Sequence, residues 1–273
     1  MQTYMGIGSL DGKTCLVTGA GQGIGQAIAV ELARQGAAAV AVADLNEKTA
    51  AETADLVRAA GAQAEAIGCD LRDRAQIEGM VTRTVERFGC LDVLVNNAGV
   101  IESAFVDRPQ DRAVDTLPEE VWDAVYEVNL KAVWLTTKAA APHLRRSARG
   151  ASIVNTASVS GLTGFAQAPI YGTTKAGVIH LTKVTAVDLA PVRCNCFCPG
   201  VIETPLARDF FAAADDRDAM ERELTAPQLV RRLGRTEEVA RLACFLASDD
   251  AAFITGASYV VDGGALAWRG VRE

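Results

Sequence analysis

Apolar residues in this chain gather in short runs, and between the runs they recur at helical spacing. Strand-like runs are Lys13 to Val17, Ala38 to Ala43, Gln63 to Gly68, Leu91 to Val95, Ala151 to Asn155, Cys194 to Phe197 and Ser258 to Val261. Between them, helical patterning covers Ala27 to Ala33, Glu47 to Ala60, Asp73 to Phe88, Pro169 to Leu189 and Thr236 to Ala247. Pro118 opens a further helix that runs through Asn129 toward His143, a position where its missing N–H does no harm. Strand and helix alternating in this way predict an α/β fold, a doubly wound parallel sheet with helices on both faces. Length alone would permit two domains, but no linker, repeat or low-complexity tract divides the chain. Residues 10–273 are therefore read as a single domain, preceded by a flexible tail over residues 1–9.

Between the first strand and the first helix lies Thr18-Gly19-Ala20-Gly21-Gln22-Gly23-Ile24-Gly25. Glycines at a strand-to-helix turn admit positive φ and close backbone approach, and the helix start turns its N–H groups toward an anion. The stretch reads as a cradle for the pyrophosphate of a dinucleotide, against the plainer alternative of a flexible turn. Asp44 ends the second strand about 20 residues further on, where a carboxylate accepts hydrogen bonds from the adenosine ribose. Its charge opposes the extra phosphate of NADP, and no lysine or arginine lies in the loop or immediately after Asp44. NAD is the expected cofactor, a solvated turn aspartate being the alternative for this residue alone.

Tyr171 and Lys175 stand four apart in a predicted helix and so share a face. A phenol is a weak base at neutral pH, and a nearby ammonium and an oxidised nicotinamide both favour its phenolate, which makes Tyr171 a candidate acid/base. Ser158, just beyond the fifth strand, sits where ligands bind at the carboxyl ends of a parallel sheet and could hold a substrate oxygen. Each residue alone has a plainer reading as a turn serine, a surface tyrosine or a solvated lysine.

Taken in order, Thr18-Gly19-(x)3-Gly23-x-Gly25, Asp70, Asn96-Asn97-Ala98-Gly99, Asn129, Ser158, Tyr171-(x)3-Lys175 and Pro199-Gly200 resemble the short-chain dehydrogenase/reductase family, from about Leu10 to Gly264. The resemblance implies a Rossmann-type sheet of about seven strands and hydride transfer between nicotinamide and an alcohol or carbonyl carbon. It implies catalytic roles for Ser158, Tyr171, Lys175 and Asn129, the last supporting a water-linked proton path to the lysine. Lys175 is expected to bind the nicotinamide ribose and to lower the pKa of Tyr171. The implied cofactor contacts are Gly19, Gln22, Gly23, Ile24 and Gly25 of the loop and Asp44 with Leu45. Asp70 and Leu71 follow at the adenine, Asn97, Ala98 and Gly99 along the cleft, and Pro199, Gly200, Ile202 and Thr204 toward the nicotinamide. Family members commonly form homotetramers through the two long helices and the last strand, and Trp268 is placed either at such a contact or against its own subunit.

Three segments depart from the family pattern. A single Val192 separates Pro191 from Arg193, a shortened turn expected to alter only the start of the sixth strand. Ile101 to Leu117 is long and charged, with Glu102, Asp107, Arg108, Asp111, Arg112 and Asp115. It is expected to be a solvated surface loop, with a rim to the substrate pocket as the lesser alternative. Residues 203–229, with Leu206, Phe210 and Phe211 among Asp215, Asp216 and Asp218, read as an amphipathic substrate lid. Together with Val159, Leu162 and Phe165, the phenylalanines suggest a partly apolar pocket for a secondary alcohol, cyclic diol, polyol or steroid-like ketone.

Composition narrows the alternatives. The chain is 49% hydrophobic with a net charge of −7, which disfavours nucleic-acid binding. Arg145, Arg146 and Arg149 are the best basic cluster, and they equally suit a helix C-terminus. No apolar run reaches membrane length and the first residues lack a signal-peptide pattern, so the expected location is the cytoplasm. Cys194, Cys196 and Cys198 alternate along a strand with no CxxC pair or nearby histidine, so buried free thiols are favoured over a metal site, and none is expected. His143 and His180 carry no motif. Two other functions remain: an NADPH-type 3-oxoacyl-thioester ketoreductase, opposed by Asp44, and a catalytically silent dinucleotide sensor or scaffold, opposed by the intact Ser158, Tyr171 and Lys175.

Overall fold

The central strands β1 (Thr14–Thr18), β2 (Ala39–Asp44), β4 (Val93–Asn96), β5 (Ser152–Thr156) and β6 (Arg193–Pro199) are almost wholly buried, as a parallel sheet covered on both faces requires. In this computed structural model, which describes residues 9–205, 207 and 217–268, they join β3 (Gln63–Gly68) and β7 (Ser258–Val261) in one sheet ordered β3-β2-β1-β4-β5-β6-β7. Every pairing is parallel. The two edge strands are the least buried, and the expected doubly wound architecture is the observed one. The expected tail lies outside the described residues except for Ser9, as do Leu206, Phe210, Phe211, Asp215 and Asp216 of the expected lid.

Alternation along the strands divides the core into two layers. Cys15 and Val17 of β1, with Val40 and Val42 of β2, face Ile28 and Leu32 of α1 (Gly23–Arg34) and Val239 of the helix Thr236–Ala247. Leu16 and Ala41 point the other way, to Met80 of α3 (Arg74–Phe88) and Ala140 and Leu144 of α5 (Ala132–Leu144). Local signals bound the helices: Asn46 caps α2 (Glu47–Ala59), Asp73 caps α3, and Gly89 ends α3 with a φ of 82°.

The helix expected from Pro118 to His143 is interrupted. It divides into α4 (Glu119–Tyr126), a π turn over Glu127–Lys131 that contains Asn129, and α5. Such turns often mark functional positions, and residue spacing alone does not reveal them. The arginine cluster is tied into the protein: Arg145 donates to the Asp188 carbonyl, Arg146 meets His143 Nδ1, and Arg149 lies 3.8 Å from Asp92. Cys194, Cys196 and Cys198 are buried free thiols along β6.

Candidate active site

The order of strands reverses between β1 and β4, and beyond their carboxyl ends opens a cleft of about 530 Å³. Gly19, Gln22, Gly23 and Ile24 form one wall. Gly19 and Gly23 hold φ values of 61° and 58°, and a Cβ on Gly19 would stand 2.6 Å from Ala98 Cα. Gly25 lies behind the wall, where a Cβ would drive into the Gly19 carbonyl oxygen. The residue preceding α1, Gln22, makes no capping bond through its side chain. A close-packed glycine turn leading to an uncapped helix start fits a pyrophosphate, so the residues present fit a dinucleotide.

Asp44 reaches this wall and is part of its frame. Its Oδ2 accepts the Gly21 N–H at 2.8 Å and its Oδ1 accepts that of Asn46 at 3.0 Å. Leu45, Asp70 and Leu71 continue the cleft, joined by Arg72, whose Nε and Nη2 both donate to the Asp70 carboxylate. Hydrogen bonding to Arg72 holds the Asp70 carboxyl below its usual range. On the β4 side Asn97 Nδ2 donates to the carbonyls of Thr18 and Gly19, at 3.2 and 3.1 Å, pinning β4 to the glycine loop. Ala98 and Gly99 line the cleft next to it, and Thr204 closes it near Gly23. Pro199, Gly200 and Ile202 do not line it. Gly200 bonds to Val261, and Ile202 turns into the core beside α1.

At the far end Tyr171 and Lys175 rise from α6 (Pro169–Asp188), one turn apart, with Lys175 Nζ 5.5 Å from the phenol ring centre. The ammonium donates to the Thr156 carbonyl at 2.9 Å. Burial lowers the lysine to about 8, while the neighbouring Cys198 thiol acts in the opposite sense. Burial also pushes the Tyr171 phenol up, a hydrogen bond from Ser158 draws it down, and the Glu102 carboxylate raises it. Burial is the largest of these causes, so in the protein alone the phenol stands above its usual value.

Ser158 begins the short turn Val159–Gly161, its Oγ accepting the Ser160 N–H at 3.1 Å. Gly161 lies flat on α6, where a Cβ would be 2.6 Å from the Lys175 carbonyl carbon. That contact sets the spacing between Ser158 and the helix. Gly161→Ala is expected to lower turnover at least about tenfold while leaving dinucleotide affinity near that of the parent, because small displacements of reacting groups are costly. Steady-state kinetics beside a binding titration checks this, and unchanged turnover would remove the role. Asn129 is fully buried, and its side chain holds Val100, Oδ1 accepting the N–H and Nδ2 donating to the carbonyl, both at 2.8 Å, while Nδ2 also donates to Thr174 Oγ1 of α6 at 3.4 Å.

Most of the Ile101–Leu117 segment is exposed or partly exposed, as expected of a solvated loop, but its first residues turn inward and supply the alternative rim to the cleft. Phe105 lines the cleft together with Val100 and Val128, while Glu102 is fully buried and its Oε1 accepts the N–H groups of Ile170 and Tyr171 at 3.0 and 2.9 Å. The sequence showed Glu102 only as one charge among many. Its role depends on Ile170 and Tyr171 of α6, 68 and 69 residues away along the chain. Arg72 carried no signal either, beyond following Asp70-Leu71.

A family model described as Enoyl-(Acyl carrier protein) reductase matches residues 19–265. The chain belongs to the short-chain dehydrogenase/reductase family. Among relatives, it is 37% identical over 257 residues to the 3-oxoacyl-acyl-carrier-protein reductase FabG of Thermotoga maritima, covering 93% of this chain and 98% of the relative. A cyclohexanol dehydrogenase of an Acinetobacter species is 38% identical, with 92% and 94% covered. L-Rhamnose 1-dehydrogenase (NAD(P)(+)) of Azotobacter vinelandii is also 38% identical, with 92% and 96% covered. A crystal structure of a short-chain type dehydrogenase/reductase from Mycobacterium marinum superimposes with a TM-score of 0.84 at 34% identity, covering 95% of this chain and 97% of that one. This short-chain dehydrogenase/reductase is accordingly an oxidoreductase that acts at a CH–OH centre and works with a nicotinamide cofactor. Trp268, left open between two placements, donates its indole N–H to the Pro227 carbonyl of its own chain at 2.9 Å.

Proposed function

We propose that the protein interconverts a partly apolar secondary alcohol and its ketone with NAD as the hydride carrier. The observation that carries the reading is the Asp44 carboxylate, fixed between Gly21 and Asn46 on the cleft wall. The cleft's neighbouring cation, Arg72, is engaged by Asp70, so it leaves the Asp44 charge uncompensated against a ribose phosphate. The glycine wall and α1 start would hold the pyrophosphate, Asp44 the adenosine ribose, and Lys175 the nicotinamide ribose.

When bound, the nicotinamide supplies or accepts the hydride. In alcohol oxidation Tyr171 Oη takes the hydroxyl proton while Ser158 Oγ holds the oxygen. In ketone reduction Tyr171 gives that proton to the developing alkoxide. Lys175, charged below about pH 8, stabilises the phenolate. In this reading Asn129 supports the proton path by fixing the β4 loop, and Val100, Phe105 and Val128 supply apolar contact to the substrate.

The sign of the pH dependence follows from the raised phenol. Oxidation requires the deprotonated form, so its rate is expected to climb as pH rises from neutral, the climb flattening above about pH 8 where Lys175 loses the charge that stabilises the phenolate. Reduction requires the phenol and is expected to stay level through neutrality, falling only in alkali. Profiles of both directions on one alcohol and ketone pair check this, and an oxidation rate that falls from pH 7 to 9 would contradict it.

The reading extends to a cytoplasmic homotetramer built through α4, α5, α6 and β7. Exposed Trp122, Trp134, Val187 and Val260 on those elements support it, and light scattering on the purified protein tests it. The relative named as a 3-oxoacyl thioester reductase favours a second reading, an NADPH-dependent ketoreductase. One experiment separates them: nicotinamide reduction and oxidation over a panel of secondary alcohols, diols and 3-oxoacyl thioesters with NAD and NADP in parallel. Turnover of an alcohol with NAD is the expected result. Preference for NADP would overturn the role of Asp44, and tight NAD binding without turnover of any panel member would favour the sensor reading.

A further inference from the structure

Helix α6 begins without a capping side chain of its own. Ala168 precedes it, and Pro169 occupies its first turn, so the N–H groups of Ile170 and Tyr171 need an acceptor from elsewhere. Glu102 provides it. One carboxylate oxygen receives both donors, at 3.0 and 2.9 Å, and the side chain has no exposure to solvent. The second oxygen, Oε2, is buried with no hydrogen-bond partner among the described residues. A cap needs only the first oxygen, and a neutral acceptor would serve. An acidic group here sets a carboxyl directly against the backbone of the acid/base residue, in surroundings where a charge is felt strongly.

We propose that Glu102 is a positioning residue for Tyr171, fixing the start of α6 through its Oε1 and setting the acidity of the phenol through its charge. This rests on the reading of Tyr171 as the proton donor and acceptor. The charged and titratable groups around the phenol are Lys175 from α6 itself and Glu102 from the loop after β4, with Cys198 of β6 behind Lys175, and the neutral Ser158 hydroxyl from the turn after β5 hydrogen-bonds it. Lys175 favours phenolate and Glu102 opposes it. The pair brackets the tyrosine from opposite ends of one helical turn, and the carboxylate favours the protonated phenol needed as a donor for ketone reduction.

Two substitutions separate capping from charge. In Glu102→Gln the amide oxygen still accepts from α6 but the charge is gone. Glu102→Asp keeps the charge on a shorter stem. The ionisation of Tyr171 is read by the ultraviolet absorbance of phenolate, as the difference between each protein and the same protein carrying Tyr171→Phe, with circular dichroism at each pH to follow the fold. For Glu102→Gln, the phenol midpoint and the alkaline limb of alcohol oxidation are both expected about one pH unit lower. For Glu102→Asp the midpoint is expected to stay with the parent while kcat falls and the KM for NAD holds. A folded Glu102→Gln protein whose midpoint coincides with the parent would overturn the proposal. So would a midpoint that moves equally in both variants, since that is the mark of a purely structural cap. A spectroscopic shift in Glu102→Gln with no shift in the kinetic limb would uphold the pairing of Glu102 with Tyr171 and would instead remove Tyr171 from the chemistry.

Discussion

Tyr171→Phe is expected to lower turnover by about 10²–10⁴-fold, the range associated with a positioned acid/base group, while the protein binds NAD nearly as the parent does. Phenylalanine keeps the ring and loses one oxygen. The glycine wall, Asp44 and Asn97 lie at the other end of the cleft and make no bond through that oxygen. Lys175 remains anchored on the Thr156 carbonyl, so the helix has no reason to move. What disappears is the hydroxyl proposed to exchange the substrate proton, which is also the partner of Ser158. Steady-state kinetics on an alcohol found in the panel, beside a fluorescence titration with NAD, reads both quantities. Retained turnover would remove Tyr171 from the mechanism, and loss of NAD binding in parallel would mean that the substitution had disturbed the cleft.

The largest expected loss of stability lies away from the site, at Arg193 in the first position of β6. Its guanidinium is buried beneath the end of the helix Thr236–Ala247. Nη1 donates to the Leu246 carbonyl at 2.8 Å, and Nη2 donates to Ser248 at 2.8 Å and Ala247 at 3.4 Å. These carbonyls are among the last of the helix, where no intrahelical donor remains and a cation is favoured by the dipole. Arg193→Ala leaves the Leu246 carbonyl without its donor, while the Ala247 and Ser248 carbonyls keep the Ser152 hydroxyl and the Ala251 N–H, and it opens a cavity between β6 and a helix that packs across α1. A loss of about 1–3 kcal/mol is expected, the cost of leaving a buried acceptor without its donor. Urea unfolding of parent and variant measures it, and a difference below about 1 kcal/mol would show that water or the relaxed helix end replaces the arginine. The shortened Pro191-Val192-Arg193 turn, expected to matter only at the start of the strand, thus delivers the residue that holds the last large helix to the sheet.

Much of this protein is local enough to be legible in one dimension. Strand and helix periods, Asn46 and Asp73 as caps, and the glycine turn act within a few residues of themselves, so the sequence already determined the doubly wound sheet and the position of the dinucleotide cleft. Ser158, Tyr171 and Lys175 were also visible, because a fixed helical spacing and a strand end place them. Other features depended on partners distant along the chain. The π turn at Asn129 is matched to Val100, and the expected single helix breaks there. Glu102 looked like a solvated charge until α6 presented two unpaired N–H groups to it, and Arg72 acquired a place in the cleft only once β3 lay beside β2. Sequence determined the sheet and the glycine turn at its switch point, since periodicity and turn chemistry are short-range. The tertiary structure decided the electrostatics around Tyr171, because burial and the approach of a carboxylate 69 residues away are properties of packing alone.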